Sequence, residues 1–326
     1  MGHDVETGDV LDGRFQIADL LSEGGMARIY RARDLHTSQT VAVKVPLMKY
    51  ESHPVYYRQF QRELHILGAL DHPAVVRLIT VDDDSRSRPY MVTELLEGET
   101  LDDLMSRQRP MDIPQATRII IRLCEAFTYI HDQGVVHRDL KPGNVMVCSD
   151  GSLRILDFGL AITPRQKRAA PTGLTGSLGT PIYMAPEQVR GRRGDARVDV
   201  YALGSILYEL TTGSRPFPME ELETAAYARI TGDPVAPRQL NPALSPQLEE
   251  IILRALARDP NNRYESCRAL QQDLEDPARV QVTGLSTRLE KPRTHRPLLR
   301  LSLVWLGLTA FPIILFAAVY ILSHRH

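Results

Sequence analysis

Cysteine is scarce in this chain: Cys124, Cys148 and Cys267 are the only three in 326 residues, and none stands in a CxxC pair or beside histidines at zinc-ligand spacing. That excludes a disulfide framework and a zinc site of the finger type, and leaves buried thiols in a reducing compartment as the expectation. Charge of one sign is lacking too. Thirty-nine Lys and Arg face 40 Asp and Glu, a formal net charge of -1, so no nucleic-acid partner is expected and any phosphate chemistry must rest on local groups. The N-terminal stretch holds acidic residues and no apolar run, which excludes a secretory signal peptide. Glu6 stands where a myristoylated terminus needs Ser or Thr. No internal repeat runs through the sequence.

What is present is an ordinary globular composition, 43% hydrophobic and 24% charged, in a chain long enough for one large domain or two moderate ones. Up to about residue 100 the runs FQIADLL, ARIYRARD, TVAVKVPL, VVRLIT and YMVTELL predict strands, with one helical stretch over 57–69 between them. Beyond that, helical spacing of apolar residues covers 114–131, 199–211 and 246–257. A small sheet lobe followed by a larger helical lobe is an α+β arrangement, and the cleft between two such lobes is a natural ligand site. Residues 276–297 lose periodicity and gather Pro277, Pro292 and Pro297 with Arg279, Arg288, Lys291, Arg293 and Arg296, which predicts a basic linker. Residues 301–322 then run 22 positions without a charge. At about 1.5 Å per residue a helix of that length crosses a hydrocarbon core of about 30 Å. The expectation is a single transmembrane helix over 298–322, interrupted by Pro312, with a short tail at 323–326.

Several segments carry chemistry. LLSEGGMARIY lies between two strand-like runs, where a glycine-rich hairpin can place backbone N–H groups over phosphates. Of a GxGxxG pattern it meets only the central position, Gly24, with Ser22 and Ala27 at the flanks, and alone it reads equally as an ordinary tight hairpin. The run Val41-Ala42-Val43-Lys44 ends in a lysine whose ammonium, if buried, needs an anion. Glu63 in the helical FQRELHIL is the best carboxylate for it, although a strand-end lysine more commonly reaches solvent. In VVHRDLKPGNVMV the polar residues His137, Arg138, Asp139, Lys141 and Asn144 are bracketed by apolar ones, so burial forces them to satisfy one another or a ligand. Thirteen residues after Asn144 comes Asp157-Phe158-Gly159. Asp139 suits acceptance of a hydroxyl proton, and Asp157 with Asn144 offers hard oxygen ligands for magnesium.

With VAVK at 41–44, HRDLKPGN at 137–144, DFG at 157–159 and APE at 185–187 in that order, the chain resembles the eukaryotic-like serine/threonine protein kinases of bacteria over residues 11–275. The resemblance implies the two-lobed protein kinase fold, ATP and Mg2+ as cofactors, and protein substrates. It makes Asp139 the catalytic base and Lys141 a γ-phosphate contact, with Asn144 and Asp157 holding metal. Lys44 would bind the α- and β-phosphates and pair with Glu63. Leu21, Ser22, Glu23, Gly24, Gly25, Met26, Ala27, Arg28 and Ile29 would cover the nucleotide, while Ala42 and Met146 would sandwich the adenine. Thr93 becomes the gatekeeper, with the hinge running from Glu94 to Leu96. Asp199 would steady the catalytic loop, and Arg263 would pair with Glu187. Lys141 two residues after Asp139, and Gly179-Thr180 before APE, match members that phosphorylate serine and threonine. Ser22 and Ala27 depart from the pattern and are expected to stiffen the phosphate loop, because glycine's freedom at positive φ is lost.

Arg138 is a cation for a phosphorylated activation segment, and Thr172 and Thr175 are the autophosphorylation candidates, which implies a homodimer for trans-autophosphorylation. Lys and Arg on the linker side place the kinase domain in the cytoplasm, below a single-pass cell-membrane anchor in contact with the lipid bilayer. Intact Lys44, Asp139, Asn144 and Asp157 argue against the alternative of a pseudokinase scaffold that binds nucleotide without transfer.

Overall fold

A computed structural model describes residues 4–51, 53–79, 88–162, 182–217 and 222–290, with only the backbone over 222–226. The first lobe is built on five antiparallel strands in sequential order: β1 (Val10–Leu11), β2 (Phe15–Glu23), β3 (Ala27–Asp34), β4 (Thr40–Pro46) and β5 (Met91–Glu94). Period-two alternation decides what each face does. In β4, Val41, Val43 and Val45 are buried with Phe15, Ile17, Tyr30, Ala32 and Val92 in one apolar cluster. Ala42 and Lys44, half-buried, take the opposite face. Short helix α1 (Met48–Glu51) leads into α2 (Pro54–Ala69), which begins where His53 accepts from the amide of Val55 and Pro54 occupies the first turn. Its buried face is Phe60, Glu63, Ile66 and Leu67, one carboxylate among apolar residues at helical spacing.

The run VVRLIT, expected as a strand, is not one over its described part. Val75 bridges Ile155 in parallel and Leu78 bridges Thr93 antiparallel, each as an isolated pair. The chain serves two sheets in turn, so neither ladder continues.

The second lobe starts with a three-stranded sheet of β6 (Gly98–Thr100), β7 (Val145–Cys148) and β8 (Leu153–Ile155). Helices α3 (Leu101–Arg107), α4 (Ile113–Asp132), α5 (Pro186–Val189), α6 (Arg197–Thr212), α7 (Leu222–Thr231), α8 (Pro237–Leu240), α9 (Pro246–Ala255) and α10 (Cys267–Glu275) make up the rest. α6 is buried on every side from Val198 to Thr212, the mark of a central helix. At Gly204 a Cβ would stand 2.6 Å from that of Ala255, so glycine lets α9 approach.

Packing runs past both expected domain bounds. Val5 is buried and its carbonyl accepts from the Tyr30 hydroxyl at 2.8 Å. The first part of the expected linker, 276–290, lies against α9 and the end of α7, where both Glu250 carboxylate oxygens accept from Thr283 and Leu285. Residues 291–326, with the expected membrane span, lie outside the described residues. Among the described residues no helix is long and apolar enough to cross a membrane.

Candidate active site

β4, α2 and the residues after β8 meet at one point in the cleft. Lys44 Nζ donates to Glu63 Oε1 at 2.6 Å and stands 3.7 Å from Asp157 Oδ1. Burial disfavours the Lys44 ammonium, but Asp157 and Glu63 outweigh it and raise its pKa. Burial, joined by Asp157, pushes the Glu63 carboxyl up to about 7 against the pull of Lys44. Asp157 moves the other way: burial works against its charge, yet Lys44 and the Gly159 amide, which donates at 2.8 Å, bring it down to about 2. Gly159 has a steric reason as well. A Cβ there would lie 3.1 Å from Asp157 Oδ1 and 3.2 Å from Gln59 Nε2, so glycine lets α2 close on the aspartate.

Between α4 and β7 the chain crosses the cleft as an irregular loop, 133–144. Asp139 Oδ2 accepts from Lys141 Nζ at 3.0 Å, and Asn144 Nδ2 donates to the Asp139 carbonyl at 2.8 Å and to Oδ2 at 3.3 Å. Both amide contacts of Asn144 use its nitrogen, which leaves its oxygen as the acceptor for a cation. Arg138 takes φ +71, a conformation that costs a non-glycine residue of order 1–3 kcal/mol. Asp199 at the start of α6 secures it by accepting from the amides of His137 (3.0 Å) and Arg138 (2.8 Å). Burial opposes the Asp199 charge, but the bond from His131 Nε2 at 2.8 Å and the Arg138 amide hold the carboxyl below its ordinary range. Phe158 is fully buried and stands edge-on to His137, ring centres 4.9 Å apart.

β2 and β3 form a hairpin that pairs with β4, Ile29 opposite Lys44, and its turn is closed by Gly24 N–H donating to the Ala27 carbonyl at 2.9 Å. No residue of 21–29 takes positive φ. Ser22 and Ala27 sit on extended strand backbone that any residue adopts without strain. Ala42 and Thr93 are paired across β4 and β5, and Met146 lies half-buried in β7, opposite Thr100 and Arg154. Glu94 and Leu96, at the strand's exit, are half-buried; Glu94 Oε1 accepts from the Arg77 amide at 2.8 Å.

A family model described as the protein kinase domain matches residues 15–274. The chain belongs to the protein kinase family. Curated relatives include the serine/threonine-protein kinase PknB of Mycobacterium tuberculosis, 36% identical over 267 residues, covering 81% of this chain and 43% of the relative. A probable serine/threonine-protein kinase of Streptomyces coelicolor is 35% identical over 268 residues, 81% of this chain and 40% of its own. The chain thus spans under half the length of these relatives. Among solved structures, the PknI kinase domain of Mycobacterium tuberculosis superposes with a TM-score of 0.66 at 23% identity, covering 84% of this chain and 99% of that one; this shows the two-lobed kinase fold. Together they group the chain with the eukaryotic-like serine/threonine kinases of bacteria.

A small pocket lies beside the 133–144 loop, lined by Arg138, Asp139, Lys141, Tyr183, Met184 and Gln188 and floored by the buried Val198, Asp199 and Ala202 of α6. Gln188 donates to the Arg138 carbonyl at 2.8 Å and so ties α5 to the loop. Glu187, next to it, meets Arg263 in a two-pronged pair at 2.7 Å on each arm, with the guanidinium wholly buried. Such a fork is the strong form of an ion pair, and removal of one partner costs about 3–5 kcal/mol.

The expected site residues from β4, α2, the 133–144 loop and the DFG segment are thus gathered in one cleft. Thr172 and Thr175 lie outside the described residues. Among the described residues no cluster of three or more His, Cys, Asp or Glu stands ready to hold a metal by itself. Asn144 and Asp157 fit magnesium shared with phosphate oxygens, since the Asp157 side chain is 40% exposed and both amide contacts of Asn144 use its nitrogen. Sequence reasoning passed over His131 and Gln188, which carry no motif of their own. Only the helix spacing that puts His131 at the end of α4 marked it as inward-facing.

Proposed function

We propose that this chain is an ATP-dependent serine/threonine protein kinase, held at the cytoplasmic face of a cell membrane by the apolar segment 301–322. The Lys44–Glu63 pair at 2.6 Å, with Asp157 beside it, carries the reading. A buried ammonium placed between two carboxylates is built to receive phosphate oxygens, and phosphoryl transfer needs little beyond such positioning and charge neutralisation. Lys44 would hold the α- and β-phosphates. Magnesium held by Asn144 and Asp157 would neutralise charge on the phosphate oxygens. Asp139 would accept the proton of an acceptor hydroxyl as its oxygen bonds to the γ-phosphorus, and the bond to the β-phosphate oxygen breaks. Lys141, 3.0 Å from Asp139, would meet the transferring group. The named activity of the curated relatives supports serine and threonine as acceptors.

Activation by autophosphorylation at Thr172 or Thr175, in trans between two copies, belongs to the same reading, with Arg138 as a cation for the phosphate. Transfer of labelled phosphate from ATP to a generic basic protein tests the proposal. Asp139→Asn is expected to lower the rate by a factor of about 100 to 10,000. Nucleotide binding by the wild-type chain without transfer would instead support the scaffold alternative.

A further inference from the structure

Helix α7 contributes one side chain that the reaction as described does not use. Arg229 is 2% exposed, buried as deeply as the core tyrosines. Enclosing a guanidinium is costly, and an apolar side chain of similar size fills such a space without that penalty. A charged group retained there implies directional bonds. Its Nη2 donates to the carbonyl of Ile182, and the Phe217 ring lies 5.5 Å from its Cζ. Tyr201 of α6 and Tyr183 stand within its electrostatic reach. The tie is reciprocal, because Arg190, just after α5, donates to the carbonyl of Ile230 in α7 at 3.1 Å.

Ile182 matters through its neighbours in the chain. Tyr183 and Met184 line the small pocket beside Asp139 and Lys141, which puts this segment next to the group that would accept the hydroxyl proton. That short segment is held at four points, one of them the Gln188 bond to the Arg138 carbonyl. The Tyr183 hydroxyl donates to the buried carboxylate of Glu209 at 2.7 Å, and Glu187 is forked to Arg263. Arg229 holds the fourth point, and it reaches in from outside the segment to bond the main chain at Ile182.

We propose that Arg229 is a positioning residue for the protein substrate: it fixes the main chain at Ile182 so that Tyr183 and Met184 form the wall on which the acceptor peptide rests. The inference depends on the protein kinase reading above. Nothing in it touches Lys44, Glu63 or Asp157, so the nucleotide half of the site should be spared.

The test is steady-state phosphorylation of a basic protein by the full chain, with acceptor and ATP varied separately, for the wild type, Arg229→Met and Arg229→Lys. A displaced wall costs orientation of one substrate only. KM for the protein acceptor is expected to rise about tenfold in Arg229→Met while KM for ATP moves less than about twofold. Arg229→Lys, which keeps a cation and a donor, should recover part of the loss. If Arg229→Met does not fold, Arg229→Gln carries the same comparison. An unchanged acceptor KM, a parallel rise in both KM values, or a lysine variant no better than methionine overturns the proposal. A wild-type chain that transfers no phosphate overturns the kinase reading and this inference together.

Discussion

Asp34, at the end of β3, shows how one side chain in this protein couples folding to pH. Its carboxylate is 1% exposed and accepts from Arg14 Nε and Nη2 at 3.0 and 2.8 Å, from the His36 amide at 3.0 Å and from the Thr37 hydroxyl at 3.0 Å. The forked Arg14 bond acts first, against burial, and holds the carboxyl well below its ordinary 3.8. A carboxyl whose folded pKa is depressed contributes stability that is present above the unfolded value and is lost as pH falls through the folded one. Asp34→Asn should therefore cost about 2 kcal/mol at pH 7, keep most of that cost at about pH 3, and lose it only as pH falls further toward the depressed folded value. Denaturant titrations of both proteins across that range check it; an equal loss at every pH would show the charge to be irrelevant. Nothing in the local sequence singles Asp34 out, since its partner Arg14 lies twenty residues away, in the turn just before the neighbouring strand β2. Lys44 and Glu63 differ in this respect. Their motif is readable, although only the packing of α2 on the sheet turns two distant residues into a contact.

At the scale of elements, the segment after α10 departs most from what composition suggests. Prolines, arginines and missing periodicity read as an unattached linker, and the family match ends at residue 274. Instead, Glu250 of α9, itself only 5% exposed, accepts from the Thr283 amide at 3.0 Å, the Thr283 hydroxyl and the Leu285 amide at 3.2 Å. Further on, Glu290 exchanges main-chain and side-chain bonds with Asp233, just beyond α7, and pairs with Arg258 at 2.8 Å. Buried carboxylates need such donors, so the strap answers a requirement set by α9 rather than by its own sequence. A chain ending at residue 275 should melt about 5 °C below one ending at residue 290, because Glu250 loses its donors and the strap its contacts. Matched thermal melts of the two forms decide it, and coincident curves would mean that the strap adds nothing.

For the whole molecule the decisive fact is that the site belongs to neither lobe alone. Lys44 and Glu63 come from the first, Asp139 and Asn144 from the second, and Asp157 lies where they meet. A ligand that touches all of them joins the lobes and stabilises the folded chain by mass action. Mg-ATP at about 100 times its dissociation constant should add about 2.7 kcal/mol to the unfolding free energy. Chelation of magnesium should remove most of that gain, and Asp157→Asn should show little of it. Thermal shifts with nucleotide, nucleotide plus chelator, and the variant provide the check. A gain indifferent to both chelator and variant would remove Asp157 from the metal's ligands.

The sequence by itself determined the two-lobed class, the order of the elements and the chemistry-bearing segments, because strand alternation, helical spacing and short motifs are written in neighbouring residues. The helix expected over 114–131 is Ile113–Asp132, and the one over 199–211 is Arg197–Thr212. Tertiary structure decided what depends on distant partners. It set the left-handed backbone at Arg138 through Asp199, made isolated bridges of the VVRLIT run, docked residues 276–290 on Glu250, and buried Arg229 against Ile182. The reason is common to all four. A buried polar group is satisfied by whichever donor or acceptor the fold brings to it, and no local pattern in the chain records which residue that will be.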